Sequence, residues 1–226
     1  MSGTAQSELV NDRRRRRLAP IRKMTIVTAM FIVAVIALAG LSISLFGLAQ
    51  HYHDSKYRAQ YQLVSSLLVS VSSAQAAIED MVDGSVPEYE RLGDAVSANR
   101  ALEEAQHASY AINVMYPGDS HESAAFSAIG ISMRQAQIVV SFYDSKLNGA
   151  LSHNTTYESN DTVNSLFLNI TGKMADLNDL VSAGIDNSQD WQRNPYSLVK
   201  RMDLASIEDL SKQIEDIGRE LATLIY

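Results

Sequence analysis

The sequence predicts an all-α protein: a single N-terminal transmembrane helix that continues into an extracytoplasmic antiparallel helical bundle of four to five helices. Three observations predict it. Residues 24–50 carry no charged side chain. Beyond them, apolar residues recur at spacings of 3 and 4, and no stretch alternates convincingly at period two. With 4 Pro and 11 Gly in 226 residues, the chain lacks the turn density of a β-sandwich or barrel. Its composition, 46% apolar and 20% charged, suits a buried core and excludes a disordered acidic tail. The absence of Cys excludes disulfides, thiolate nucleophiles and Cys-ligated metal centres.

Residues 1–23 form a basic tail. Arg13, Arg14, Arg15, Arg16, Arg17, Arg22 and Lys23 outweigh Glu8 and Asp12, whereas the rest of the chain holds twelve basic and twenty-four acidic residues. Residues 24–50 follow as the membrane helix. At ~1.5 Å per residue they span roughly 40 Å, enough to cross a ~30 Å hydrocarbon core with some tilt. A backbone in lipid has to satisfy its own hydrogen bonds, which selects a helix. The small-x-small triplet Ala37-Leu38-Ala39 resembles a signal-peptide cleavage site. However, the apolar run continues well past it, beyond the ~7–15 residues of a signal-peptide core, so an uncleaved anchor is expected. The basic flank precedes the span and the first charge after it is Asp54. The positive-inside rule therefore places the tail in the cytoplasm and residues 51–226 outside the cell membrane. Lying directly against the span, the cluster reads as a topology signal touching anionic lipid headgroups, with no nucleic acid as partner.

Within residues 51–226, the membrane helix first continues as a stalk with Tyr57, Tyr61, Val64, Leu68, Val71, Ile78 and Met81 on one face, ending near Asp83-Gly84. Ser85-Val86-Pro87-Glu88 has capping-box spacing and starts a second helix carrying Leu92, Val96, Leu102, Ala105, Ile112 and Met115. Pro117-Gly118 ends it. Asp119 and Glu122 have the spacing to cap a third helix, whose stripe runs from Phe126 through Ile129, Met133, Ala136, Val140, Tyr143 and Leu147 to Ala150. After a polar loop from Ser152 to Asn160, a fourth helix carries Val163, Phe167, Ile170, Met174, Leu177 and Val181. A second polar loop, Asp186 to Pro195, holds the only Trp. The last helix shows Ile207, Leu210, Ile214, Ile217, Leu221 and Leu224. Such coiled-coil-like spacing implies near-parallel packing at shallow angles.

Chemistry-bearing motifs are sparse. There is no Gly-rich phosphate loop and no Gly-x-Ser-x-Gly elbow. His121-Glu122 opens like a zinc-protease helix, but Ala125 stands where the second His belongs. Asp186, Ser188 and Asp190 open like a calcium loop, yet Trp191 replaces the turning Gly. Glu104-x-x-His107 has the spacing of half a di-iron site, and no second pair completes it. No enzymatic activity, metal or other cofactor is therefore expected. Asn154, Asn160 and Asn169 begin Asn-x-Thr sequons and are candidate glycosylation sites on the exterior.

Ala37, Gly40, Ser44 and Gly47 share one face of the membrane helix and include a small-xxx-small pair. That face is the candidate contact with a second copy or another protein's span. Functionally, the pattern points to a single-pass anchored interaction or accessory subunit, its partners being the bilayer and a protein met through the membrane helix and ectodomain. The alternative is an extracytoplasmic sensory or ligand-binding module. In that respect the architecture loosely resembles the extracellular helical-bundle domains of chemoreceptors and sensor kinases. Those domains pass a signal through a second span, so here signalling implies a membrane partner.

Overall fold

A computed structural model describes residues 4–157, 160–185 and 202–225, with side chains from Met30 onward apart from His53. Five helices and no strand occur among the described residues: α1 (Thr4–Val82), α2 (Glu88–Asn113), α3 (His121–Ser152), α4 (Asp161–Gly184) and α5 (Leu204–Ile225). By internal contacts the chain divides into two compact units between Asp54 and Ser55. Among the described residues one helix, near the N-terminus, is long and apolar enough to cross a membrane.

The second unit is built on one core. From α1 it takes Val64, Leu67, Val71, Ala74, Ile78 and Met81, and from α3 the predicted stripe Phe126 to Leu147. All six apolar residues predicted for α4 are buried. α2 packs on α3, α3 on α5, and α4 on α5.

Two seams differ from the expected stripes. On α2, Val96 is 57% exposed, and the buried face is Ala95, Ala98, Ala101, Ala105 and Ala108 around Leu102 and Ile112. Small side chains let α2 approach α3 closely, and this displaces the larger β-branched residue to the surface. On α5 the buried line is Ile207, Ser211, Ile214, Gly218, Leu221 and Ile225, and Leu224 is 49% exposed. A Cβ at Gly218 would lie 2.8 Å from Gln135 Cγ, so the glycine marks where α5 meets α3. Tyr61, expected on the stalk's inner face, is 41% exposed.

The helix ends are fixed locally. The capping box expected at Ser85 is not formed: Pro87 occupies the N-cap of α2 and offers no side-chain bond. Instead Asp83 accepts a 2.8 Å bond from the Ser85 amide, which holds its carboxyl below the usual carboxylate range. Glu88 is freed to accept a 2.6 Å bond from the Tyr157 amide, tying the start of α2 to the loop after α3. The cap of α3 is Ser120 rather than Asp119, accepting from Ser123 N at 3.1 Å. Asn160 caps α4 through Thr162 N at 2.9 Å. Before α5, Asp203 accepts from Ser206 N at 3.2 Å and Ser206 Oγ at 2.7 Å, and these bonds lower its pKa.

Arg91 is buried in this core, a feature its sequence context conceals. Its Nε donates to the Met81 carbonyl at 2.8 Å and its Nη2 donates to the Tyr143 hydroxyl. The guanidinium also lies 5.6 Å from the Tyr143 ring centroid. Met81 stands in the last turn of α1, where free carbonyls and the helix dipole both favour a cation. Tyr143 in turn meets Tyr157 and Phe167 edge-on, at 5.3 and 5.5 Å between centroids. This cluster clamps the ends of α1 and α2 against α3 and α4.

Candidate functional site

Among the described residues, two surfaces carry side chains that folding alone does not use. The first lies on α1. Every described side chain from Met30 to Tyr52 is exposed, including Phe31 at 69%, Ile36 at 66% and Phe46 at 71%. Exposure on all sides of a charge-free helix leaves far more apolar surface than a soluble monomer presents to water. The predicted small-residue face, Ala37, Gly40, Ser44 and Gly47, lies within this exposed stretch, and a Cβ at Gly40 or Gly47 meets nothing within 4 Å. Ser42 on the same helix returns its hydroxyl to the Leu38 carbonyl at 2.8 Å, so it has no need of an outside acceptor. The backbone of the basic cluster, Arg13 to Lys23, belongs to α1, while its side chains lie outside the described residues.

The second surface is a groove of about 220 Å³ between α2 and α3. Gly130 lines it where the two helices approach closely, and a Cβ there would stand 2.9 Å from Ser109 Oγ. Buried Phe126 lines it, stacked on Tyr116 at 6.4 Å and 7°. Burial, with the Glu122 carboxylate adding to it, raises the Tyr116 pKa, so this ring stays a neutral phenol. Tyr110 and Ile131 also line the groove and remain 66% and 51% exposed. Its polar lining comes from Gln106, His107 and Asn113 on α2 and from Ser127 and Arg134 on α3. Asn113 Oδ1 accepts from Ser123 Oγ, which commits the carbonyl side of that amide. Arg134 forms no ion pair among the described residues.

No family model, curated protein or solved structure matches this chain.

The remaining candidates from the sequence fall into separate places. Asn154, Asn160 and Asn169 are all exposed. Asn154 adopts the left-handed conformation at φ 55° just after α3, Asn160 caps α4, and Asn169 sits on the outer face of α4. Glu104 pairs with Arg100 at 3.2 Å, whereas His107 lines the groove, so the two members of the half-site motif face different tasks. Among the described residues no group of three His, Asp or Glu side chains is placed to hold a metal ion. The calcium-loop fragment Asp186, Ser188, Asp190 and Trp191 lies outside the described residues. A gap of about 10 Å³ between α1, α3 and α4, beside Leu67, Ile129 and Leu177, holds at most one water molecule.

The groove has little signature in the sequence. Its one signal was Gly130, a residue that weakens a helix interior by about 1 kcal/mol relative to Ala and so marks close approach when it stands inside an apolar run.

Proposed function

We propose that this protein is a single-pass, membrane-anchored accessory or interaction subunit. In this reading the basic tail lies in the cytoplasm, residues 24–50 cross the cell membrane, and the helices beyond them form an antiparallel bundle displayed outside. The observation that carries the reading is the contrast along α1. Its side chains are uncharged, apolar apart from Ser42 and Ser44, and exposed on every side from Met30 to Leu48, yet from Tyr57 onward one face of the same helix is buried in a core. Lipid is the solvent that makes the first half favourable, since ~20 apolar residues are what a bilayer core requires. The positive flank supports the orientation. Any sugar at Asn154, Asn160 or Asn169 then lies on the exposed exterior.

A subunit of this kind acts through association. The face formed by Ala37, Gly40, Ser44 and Gly47 allows close backbone approach to a second copy or to another protein's span. Purification of the full chain in mild detergent tests the reading. A stoichiometric protein partner or a self-associated species is expected, and a chain that elutes only as a solitary monomer at all concentrations overturns it.

The groove between α2 and α3 favours a second reading, an extracytoplasmic sensory or ligand-binding module whose signal passes to a membrane partner.

A further inference from the structure

We infer that the groove between α2 and α3 binds a small organic anion: a carboxylate joined to an aromatic ring or a short branched chain. The inference deepens the ligand-binding reading above.

Size sets the first limit. The groove is about 220 Å³. An apolar cavity of ~150 Å³ accommodates benzene, so the space here fits one ring and a group the size of a carboxylate, and falls short of the ~300 Å³ where drug-sized sites begin. Its apolar part is already ordered. Phe126 is 1% exposed and held by its stack on Tyr116, while Ile131 and Tyr110 stand beside it with most of their surface uncovered. Covering those two side chains is the favourable apolar contribution to binding.

Charge sets the second limit. Residues 24–226 hold twice as many acidic as basic side chains, yet the groove is lined by Arg134 and His107 and by no carboxylate. Arg134 has no ion-pair partner among the described residues, unlike Arg100 and Arg219, which each hold a glutamate one turn away on their own helix. A guanidinium presents its donors as a planar fork matched to a carboxylate. The Asn113 side chain supplies a further donor: its Oδ1 is taken by Ser123, which leaves its amide N–H groups for a ligand. A cation in this groove would meet Arg134 at close range with no carboxylate to receive it.

The test uses the full chain in phosphatidylcholine nanodiscs and three fluorinated probes of one shape: 4-fluorophenylacetate, 4-fluorophenylacetamide and 4-fluorophenethylamine. Fluorine line broadening against empty nanodiscs reports binding of each. The anion should broaden most, the neutral amide less, and the amine no more than with empty discs. Arg134→Gln, an exposed position whose replacement leaves the core untouched, should weaken the anion by about tenfold, as the loss of one charge-assisted pair implies. Ile131→Asp places a carboxylate in the groove and should abolish anion binding while admitting the amine. Equal broadening by all three probes, unchanged anion binding in Arg134→Gln, or no broadening by millimolar anion each overturns the proposal. Equal broadening by all three probes refutes the anion preference and leaves a ligand-binding groove, whereas no broadening by any probe removes the ligand-binding reading as well.

Discussion

Replacing Gly218 with Leu tests the packing of α5 most sharply, because sequence pattern and structure assign opposite roles to this position and to Leu224. The apolar spacing puts Leu224 on the buried stripe and gives Gly218 no role, whereas the structure buries Gly218 and leaves Leu224 49% exposed. The first added carbon at Gly218 would lie 2.8 Å from Gln135 Cγ, with the Gln135 carbonyl carbon and oxygen at 3.6 Å. Cγ is close to the backbone and cannot swing aside as a chain end can, so α5 or α3 has to shift. Overpacking of this kind costs ~1–3 kcal/mol. Leu carries three more carbons beyond that Cβ into the same contact, so the upper part of the range, ~2–3 kcal/mol, applies. A non-glycine residue in a helix interior recovers ~0.8 kcal/mol of that. The net expectation for Gly218→Leu is a loss of about 1–2 kcal/mol, which lowers the melting temperature of a domain this size by roughly 2–8 °C. Leu224→Lys, by contrast, changes an exposed side chain and should move stability by no more than ~0.5 kcal/mol. Helical circular dichroism of the full chain in detergent, followed through thermal and urea unfolding, reads both. The seam is wrong if Gly218→Leu melts with the parent, or if Leu224→Lys is the more damaging change.

Three further outcomes follow from the same structure. Val140→Asp buries an unpaired carboxylate at a position with no exposure and should cost several kcal/mol, on the order of the whole stability of a marginal domain, seen as loss of the cooperative transition. Asp203→Ala removes the cap of α5 and should lower the melting temperature at neutral pH. The Asp203 pKa is depressed by its bonds to Ser206, so that contribution is present above the ordinary carboxylate pKa. It fades as pH falls through the lowered value, and the two melting temperatures should converge in acid. Replacing Gly40 and Ser44 together with Leu should weaken association in a membrane two-hybrid assay, and undiminished association would leave this face as ordinary lipid-exposed helix.

How much was legible in the sequence varied with side-chain size. The inner face of α4 is fully legible because it is made of large apolar residues, Val163 to Val181, at unbroken 3-4 spacing. The same holds for α3 from Phe126 to Leu147. α2 and α5 are less legible because their seams use Ala, Ser and Gly, which a hydrophobic pattern undercounts, while nearby larger residues such as Val96 and Leu224 attract the assignment. Turn chemistry misleads at Ser85, where the required spacing is present but the hydroxyl is not the cap, since Asp83 takes the Ser85 amide and Glu88 takes that of Tyr157. Arg91 was invisible for a different reason: an arginine among acidic neighbours looks solvated, and only the fold brings the Met81 carbonyl and the Tyr143 hydroxyl to it. The groove depends on residues far apart in sequence, Asn113 and Arg134 among them, and no local spacing encodes their meeting.

The proposed topology is one membrane crossing with the helical domain outside. Protease added to intact cells or spheroplasts carrying the chain tagged at both ends tests that most directly. The anchored reading predicts that the C-terminal tag is removed and the N-terminal tag survives until the membrane is permeabilised. Protection of the C-terminal tag in intact cells would contradict it.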